Sequence, residues 1–132
     1  MKLIQIYQCL CDETRLRILH LLLRGPLCVC HIQKILGESQ VNISRHLSYL
    51  KERGMVEAER HQNWMIYRLP AKCSPELEAN LKCLQDCCTT EAVFRGDLAK
   101  LQKVVSIREV REVLEQVCCG APVLGKAKSL CR

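Results

Sequence analysis

The stretch ESQVNISRHLSYLKERGMVEAERHQNWMIYRL, residues 38–69, changes its hydrophobic period partway along, and that change decides the fold. From Val41 to Gly54 the apolar positions Ile43, Leu47 and Leu50 recur at helical spacing and form one buried stripe. The opposite side of that helix carries Arg45 and Ser48, flanked by Asn42, Ser44 and Tyr49. Short polar, amide and cationic groups of this kind hydrogen-bond base edges and phosphates. A solvated face has the same composition, so this helix alone decides little. After Gly54 the period becomes two-fold. MVEAER and WMIYRL flank HQN, the pattern of a β-hairpin with Asn63 suited to a left-handed turn position. Arg60, His61, Gln62 and Asn63 stand at its tip, where they are expected to reach a neighbouring DNA groove or the backbone.

Upstream, Asp12 is a natural N-cap for a helix running to Arg24, with Leu16, Leu19 and Leu23 on one stripe. Gly25-Pro26 stops it. A second helical run starts near Leu27 and ends at Gly37, and GESQ joins it to the run from Val41. Helix, short turn, helix and then a strand pair is the order of a winged helix-turn-helix. The expected fold class is mainly α with a small β-hairpin.

Downstream, Ser74-Pro75 opens another helix carrying Leu77, Leu81, Leu84 and Cys88. Phe94, Leu98, Leu101 and Val105 repeat that spacing. Such stripes pack against another helix, here a symmetry mate, so the fold is expected to be dimeric. Ser106 and Glu109 form a capping box for a last helix, followed by a tail without helical period. The expected organisation is a DNA-binding and dimerisation domain over residues 1–105 and a C-terminal helix with a cysteine-containing tail over 106–132.

Composition sets the outer bounds. The chain has 132 residues, enough for one domain, and its 48% hydrophobic and 26% charged residues are those of a globular protein. No apolar run reaches the roughly 18–20 residues of a membrane span, and the N-terminus turns polar too soon for a signal peptide. A cytoplasmic protein without membrane contact is expected. Twenty Lys and Arg against 14 Asp and Glu give +6, which suits a polyanion partner without proving one. No catalytic triad, phosphate loop or zinc-protease motif is present, and no Cys-x-x-Cys pair stands between a strand and a helix, so an enzyme is not expected. Eleven cysteines are the outlier. In a reducing compartment such thiols serve metals, metalloids, redox sensing or plain burial.

Taken together, CLCDETRLRILHLLL, LCVCHI, ESQVNISRHLSYLKERGMV and WMIYRL resemble the ArsR/SmtB metalloregulatory repressors, over residues 4 to about 105. LCVC ahead of the recognition helix resembles the arsenical-resistance repressors in particular. The resemblance implies a winged-helix homodimer on palindromic double-stranded operator DNA, released when arsenic(III) or antimony(III) binds cysteine thiolates. It also implies that residues 40–53 enter the major groove, with Gln40, Asn42, Ser44 and Arg45 making contacts and His46 at the edge of the core. One position departs from the pattern: Gln33 stands where the arsenite-binding version has a third cysteine. The third ligand then comes from elsewhere, is hydroxide, or is unnecessary because the inducer is an organoarsenical. Cys87 and Cys88 resemble adjacent cysteine pairs of family members that sense arsenic near the end of this helix. Cys83, one turn earlier, makes a separate three-thiol site conceivable.

Cys28 and Cys30 are the leading ligands. Residues i and i+2 of a regular helix point about 200° apart, so closing both thiols on one ion is expected to distort the first turn of their helix. That distortion would change how the next helix meets DNA. Thiolate-only sites favour soft ions: arsenic(III), antimony(III), cadmium, lead, copper(I) or zinc. His31, the one neighbouring nitrogen, reads as a surface residue. A thiol redox switch, or a repressor responding to cadmium, lead or zinc, is the alternative on the same fold.

Overall fold

Asp12 starts the first long helix as its side chain is placed to do: extended at φ −133°, it accepts a hydrogen bond from the Arg15 amide at 3.0 Å. In the computed structural model, residues 1–87 and 90–105 are described. Helix α1 spans Lys2–Leu10, α2 Glu13–Leu22, α3 Val29–Leu36 and α4 Gln40–Glu52. Strands β2, Glu57–His61, and β3, Trp64–Arg68, form the wing, and α5, Pro75–Cys87, and α6, Ala92–Val105, follow. The residues before Asp12 thus form a helix of their own.

Two caps set the angle between α3 and α4. Gly37 ends α3 at φ +71°, a conformation that costs a residue with a Cβ about 1 kcal/mol. Ser39 then opens α4, its hydroxyl accepting from the Asn42 amide at 3.2 Å. Ile43, Leu47 and Leu50 are fully buried, as their spacing predicts, against Ile32 and Ile35 of α3 and the apolar face of α2. Each such aliphatic side chain contributes about 1.5–3 kcal/mol on leaving water.

Three readings are corrected here. The second helical run does not start at Leu27: Leu27–Cys28 is a short strand, β1, paired antiparallel to β3 with Leu27 opposite Tyr67 and Cys28 opposite Ile66. The sheet is therefore three-stranded, in the order β1-β3-β2, rather than a bare hairpin. In the wing turn, Gln62 and not Asn63 takes the left-handed conformation, at φ +55°. The register explains this: His61 pairs with Trp64, leaving a two-residue loop whose first residue must reverse the chain. Finally, Leu77, Leu81 and Leu101 are buried in this chain's own core, so a symmetry mate is not what covers them.

Ser74 caps α5 through its hydroxyl, 3.3 Å from the Leu77 amide. Helix α6 is fastened to α2 by an ion pair between half-buried Arg17 and buried Asp97: Arg17 Nε and Nη2 donate to the two carboxylate oxygens of Asp97 at 2.9 and 2.8 Å. The expected capping box of Ser106 and Glu109 and the cysteines at 118, 119 and 131 lie outside the described residues. No described helix is long and apolar enough to cross a membrane.

Candidate functional site

Because Cys28 belongs to β1, it meets Cys30 differently from a helical neighbour. Its backbone is extended at φ −76° and ψ 151°, and α3 begins only at Val29. The turn from strand into helix brings the two sulfurs together: Cys30 Sγ donates to Cys28 Sγ at 3.1 Å. The expectation that both thiols can close on one ion only if the first turn of their helix distorts or unwinds is thereby overturned. With metal–sulfur bonds of about 2.3 Å, two sulfurs on one pyramidal ion stand roughly 3.3 Å apart. The pair is already at chelating distance, with the helix intact.

The two thiols differ in surroundings. Cys28 is buried, packed on Ile66 with Val29 and Trp64 alongside, whereas Cys30 is exposed. Partial burial of its sulfur, then the hydrogen bond to Cys28 and the charge there, push the Cys30 thiol up to about 11. Cys30 is therefore protonated at neutral pH, and a ligand that binds its sulfur must displace that proton.

His31 is buried and not a surface residue. Its Nδ1 accepts the Cys28 backbone N–H at 3.4 Å, completing the cap of α3, and its ring lies 5.0 Å from that of Trp64. Burial, with Lys34 nearby, holds its pKa down at about 4, so it is a neutral acceptor at pH 7. The sequence hid this role because a histidine capping a helix from its third position looks like any polar residue at a helix start.

Among the described residues the other cysteines lie on separate elements or at a helix end. Cys9 is in the core, exposed Cys11 donates to the Gln8 carbonyl, and half-buried Cys73 faces the Pro70 carbonyl. Cys83 is exposed on α5, Cys87 is the last residue of that helix, and Cys88 lies outside the described residues. Among the described residues no three His, Cys, Asp or Glu side chains gather as a metal site, so no third ligand joins Cys28 and Cys30 there.

The face of α4 opposite its buried stripe is open. Gln40, Val41, Arg45 and Ser48 are exposed, Asn42, Ser44 and His46 half-buried. Asn42 is held at both ends of its amide: Nδ2 donates to Glu38 at 2.9 Å, and Oδ1 accepts from Arg45. Tyr49 has a packing role, its ring lying between the guanidinium groups of Arg15 at 4.2 Å and Arg53 at 3.5 Å. Arg15 also donates to the Cys9 and Gln8 carbonyls, so Tyr49 helps tie α4 to the end of α1. At the wing, Arg60, Gln62 and Asn63 are exposed and His61 is half-buried. Val41 is the residue that sequence reasoning passed over. It is off the 43/47/50 stripe, which could have marked it as outward-facing.

The chain is similar to known regulatory proteins. Residues 12–58 match the family model "Bacterial regulatory protein, arsR family". The chain is 40% identical to the arsenic resistance transcriptional regulator ArsR1 of Pseudomonas putida over 61% of its length, an alignment spanning 64% of that relative. It is 36% identical to the arsenical resistance operon repressor of Escherichia coli over 89% of both chains. Among solved structures, the antimony-specific transcriptional repressor AntR is 30% identical with a TM-score of 0.52, covering 65% of this chain and 78% of that one. The homodimeric winged helix-turn-helix DNA-binding domain of Mb0332 from Mycobacterium bovis is 25% identical with a TM-score of 0.56, over 69% of this chain and 82% of that one.

Proposed function

The chain belongs to the ArsR family of bacterial regulatory proteins, winged-helix DNA-binding transcriptional repressors, and from that premise we propose that trivalent arsenic or antimony is its inducer, bound by Cys28 and Cys30. The observation that carries this reading is the 3.1 Å separation of the two sulfurs, one of them open to solvent. Two relatives named for arsenic resistance and a neighbour named for antimony support the choice of ion class. The soft, nitrogen-free donor pair supports it independently.

The chain's own residues then couple the site to DNA in two ways. Cys28 is hydrogen-bonded into the sheet opposite Ile66 and packs on Ile66 and Trp64, so moving its sulfur loads the wing strand β3. Helix α3, which carries Cys30, lies against α4. Binding that favours one wing-to-α4 arrangement while operator DNA favours another lowers DNA affinity. The usual coupling of about 1–3 kcal/mol corresponds to a roughly 5- to 150-fold loss. The functional unit is proposed to be a homodimer on a palindromic operator, with two such thiol pairs.

A close thiol pair also suits oxidation to a disulfide, the second reading. The raised Cys30 pKa works against it, since the thiolate is the reactive form. Fluorescence anisotropy of the operator complex, titrated in separate runs with arsenite, antimonite, cadmium and peroxide, decides between them. Release by arsenite or antimonite under reducing conditions is expected; release by peroxide alone would transfer the function to redox sensing.

A further inference from the structure

Val41 is 80% exposed in the first turn of α4. Among the described residues the other large exposed apolar side chains, Met1, Ile4 and Tyr7, all belong to the α1 end of the chain. Val41 therefore stands apart, an uncovered branched apolar group among polar ones. Its spacing to Arg45 and Ser48, four and then three residues, puts all three on one outer stripe, opposite Ile43, Leu47 and Leu50. The N-terminal residues of a recognition helix are the ones that reach base edges. In the major groove the apolar feature a side chain can meet is the C5-methyl of thymine.

We infer that Val41 reads thymine methyl groups in the operator, supplying sequence discrimination that hydrogen bonds alone do not. This rests on the reading of α4 as the helix that enters the groove. The polar neighbours fit the division of labour. With both ends of its amide engaged by Glu38 and Arg45, Asn42 is poised to orient Arg45. Arg45 keeps further guanidinium donors for an acceptor such as guanine, while Val41 covers the apolar edge beside it.

The test uses the full chain and a duplex that it selects from a random pool, compared with the same duplex carrying deoxyuridine in place of thymidine. Uracil removes only the methyl, leaving pairing and hydrogen-bonding edges unchanged. The wild-type protein is expected to bind the uracil duplex roughly four- to fifteenfold more weakly, the scale of one or two buried methyl groups. Val41→Ala, which keeps one methyl, should show a clearly smaller uracil penalty than wild type, closing a double-mutant cycle. Specific binding by the wild type that uracil leaves unchanged overturns the inference and leaves the repressor reading standing. So does an equal uracil penalty in wild type and variant. Failure to select any duplex over bulk DNA overturns both.

Discussion

The sulfurs of Cys28 and Cys30 lie 3.1 Å apart because Cys28 is the last residue of a strand and Cys30 is the second residue of a helix. The bend between the two elements does what a regular helix cannot, bringing side chains two residues apart onto one side. Inducer binding then needs no melting of α3. Amide exchange of the α3 amides in the arsenite-loaded protein should match that of the free protein, with any loss of protection confined to β3 and the wing. Wholesale loss across Val29–Leu36 would return the account to helix unwinding.

Proton balance separates the candidate inducers. Arsenite arrives with hydroxide ligands, so two thiol protons leave as water and its affinity should change little between pH 6.5 and 8.5. Cadmium must release the protons themselves. With Cys30 held up at about 11, cadmium affinity should climb about tenfold per pH unit for each thiol proton displaced. Isothermal titration calorimetry in buffers of different ionisation enthalpy measures that proton count directly.

Two buried imidazoles make the fold acid-sensitive. His20 lies edge-on to Phe94 with both ring nitrogens unpartnered among the described residues, and burial, with Arg24 nearby, holds it at about 4; His31 stands at a similar value. Both folded-state values are below the ordinary 6.5, so the unfolded chain takes up protons first. Stability is full above pH 6.5 and falls as pH drops toward 4, by about 1.4 kcal/mol per pH unit for each imidazole. His20→Leu should remove about half of that slope and leave stability at pH 7 equal or higher, as read by chemical denaturation.

The pair Arg17–Asp97 anchors α6. Asp97 is 1% exposed, so Asp97→Ala strands the guanidinium at the α2–α6 contact and should cost about 3 kcal/mol. Replacing both partners with apolar residues should recover most of that loss. A loss below about 1 kcal/mol in the single variant, measured by thermal and denaturant unfolding, would show that α6 is not held by this pair.

Most of the frame was legible because its signals are local. Asp12, Ser74 and Gly37 mark helix ends by their own backbone chemistry, and Ile43, Leu47 and Leu50 announce a buried face by spacing alone. The change of period after Gly54 gave the wing. What stayed hidden depends on partners distant in sequence. Two residues of β1 have no period to detect, and they exist as a strand only because Tyr67 and Ile66 offer a free edge. His31 became a cap, and the thiol pair a preformed site, as consequences of that pairing. Tyr49 shows the same: its place on the helical wheel is legible, but the stacking of Arg15, from another helix, on its ring is not.

The most direct test takes the wild-type protein and Cys28→Ser/Cys30→Ser, each bound to the same fluorescent operator duplex, and titrates both with arsenite under reducing conditions. The wild type should release DNA as one arsenic per chain binds. The variant should hold DNA with affinity within about twofold of wild type and stay bound across the range, since serine keeps the size of the site and removes the soft donors. Arsenite-driven release that persists in the variant would place the sensor elsewhere in the chain and contradict the account.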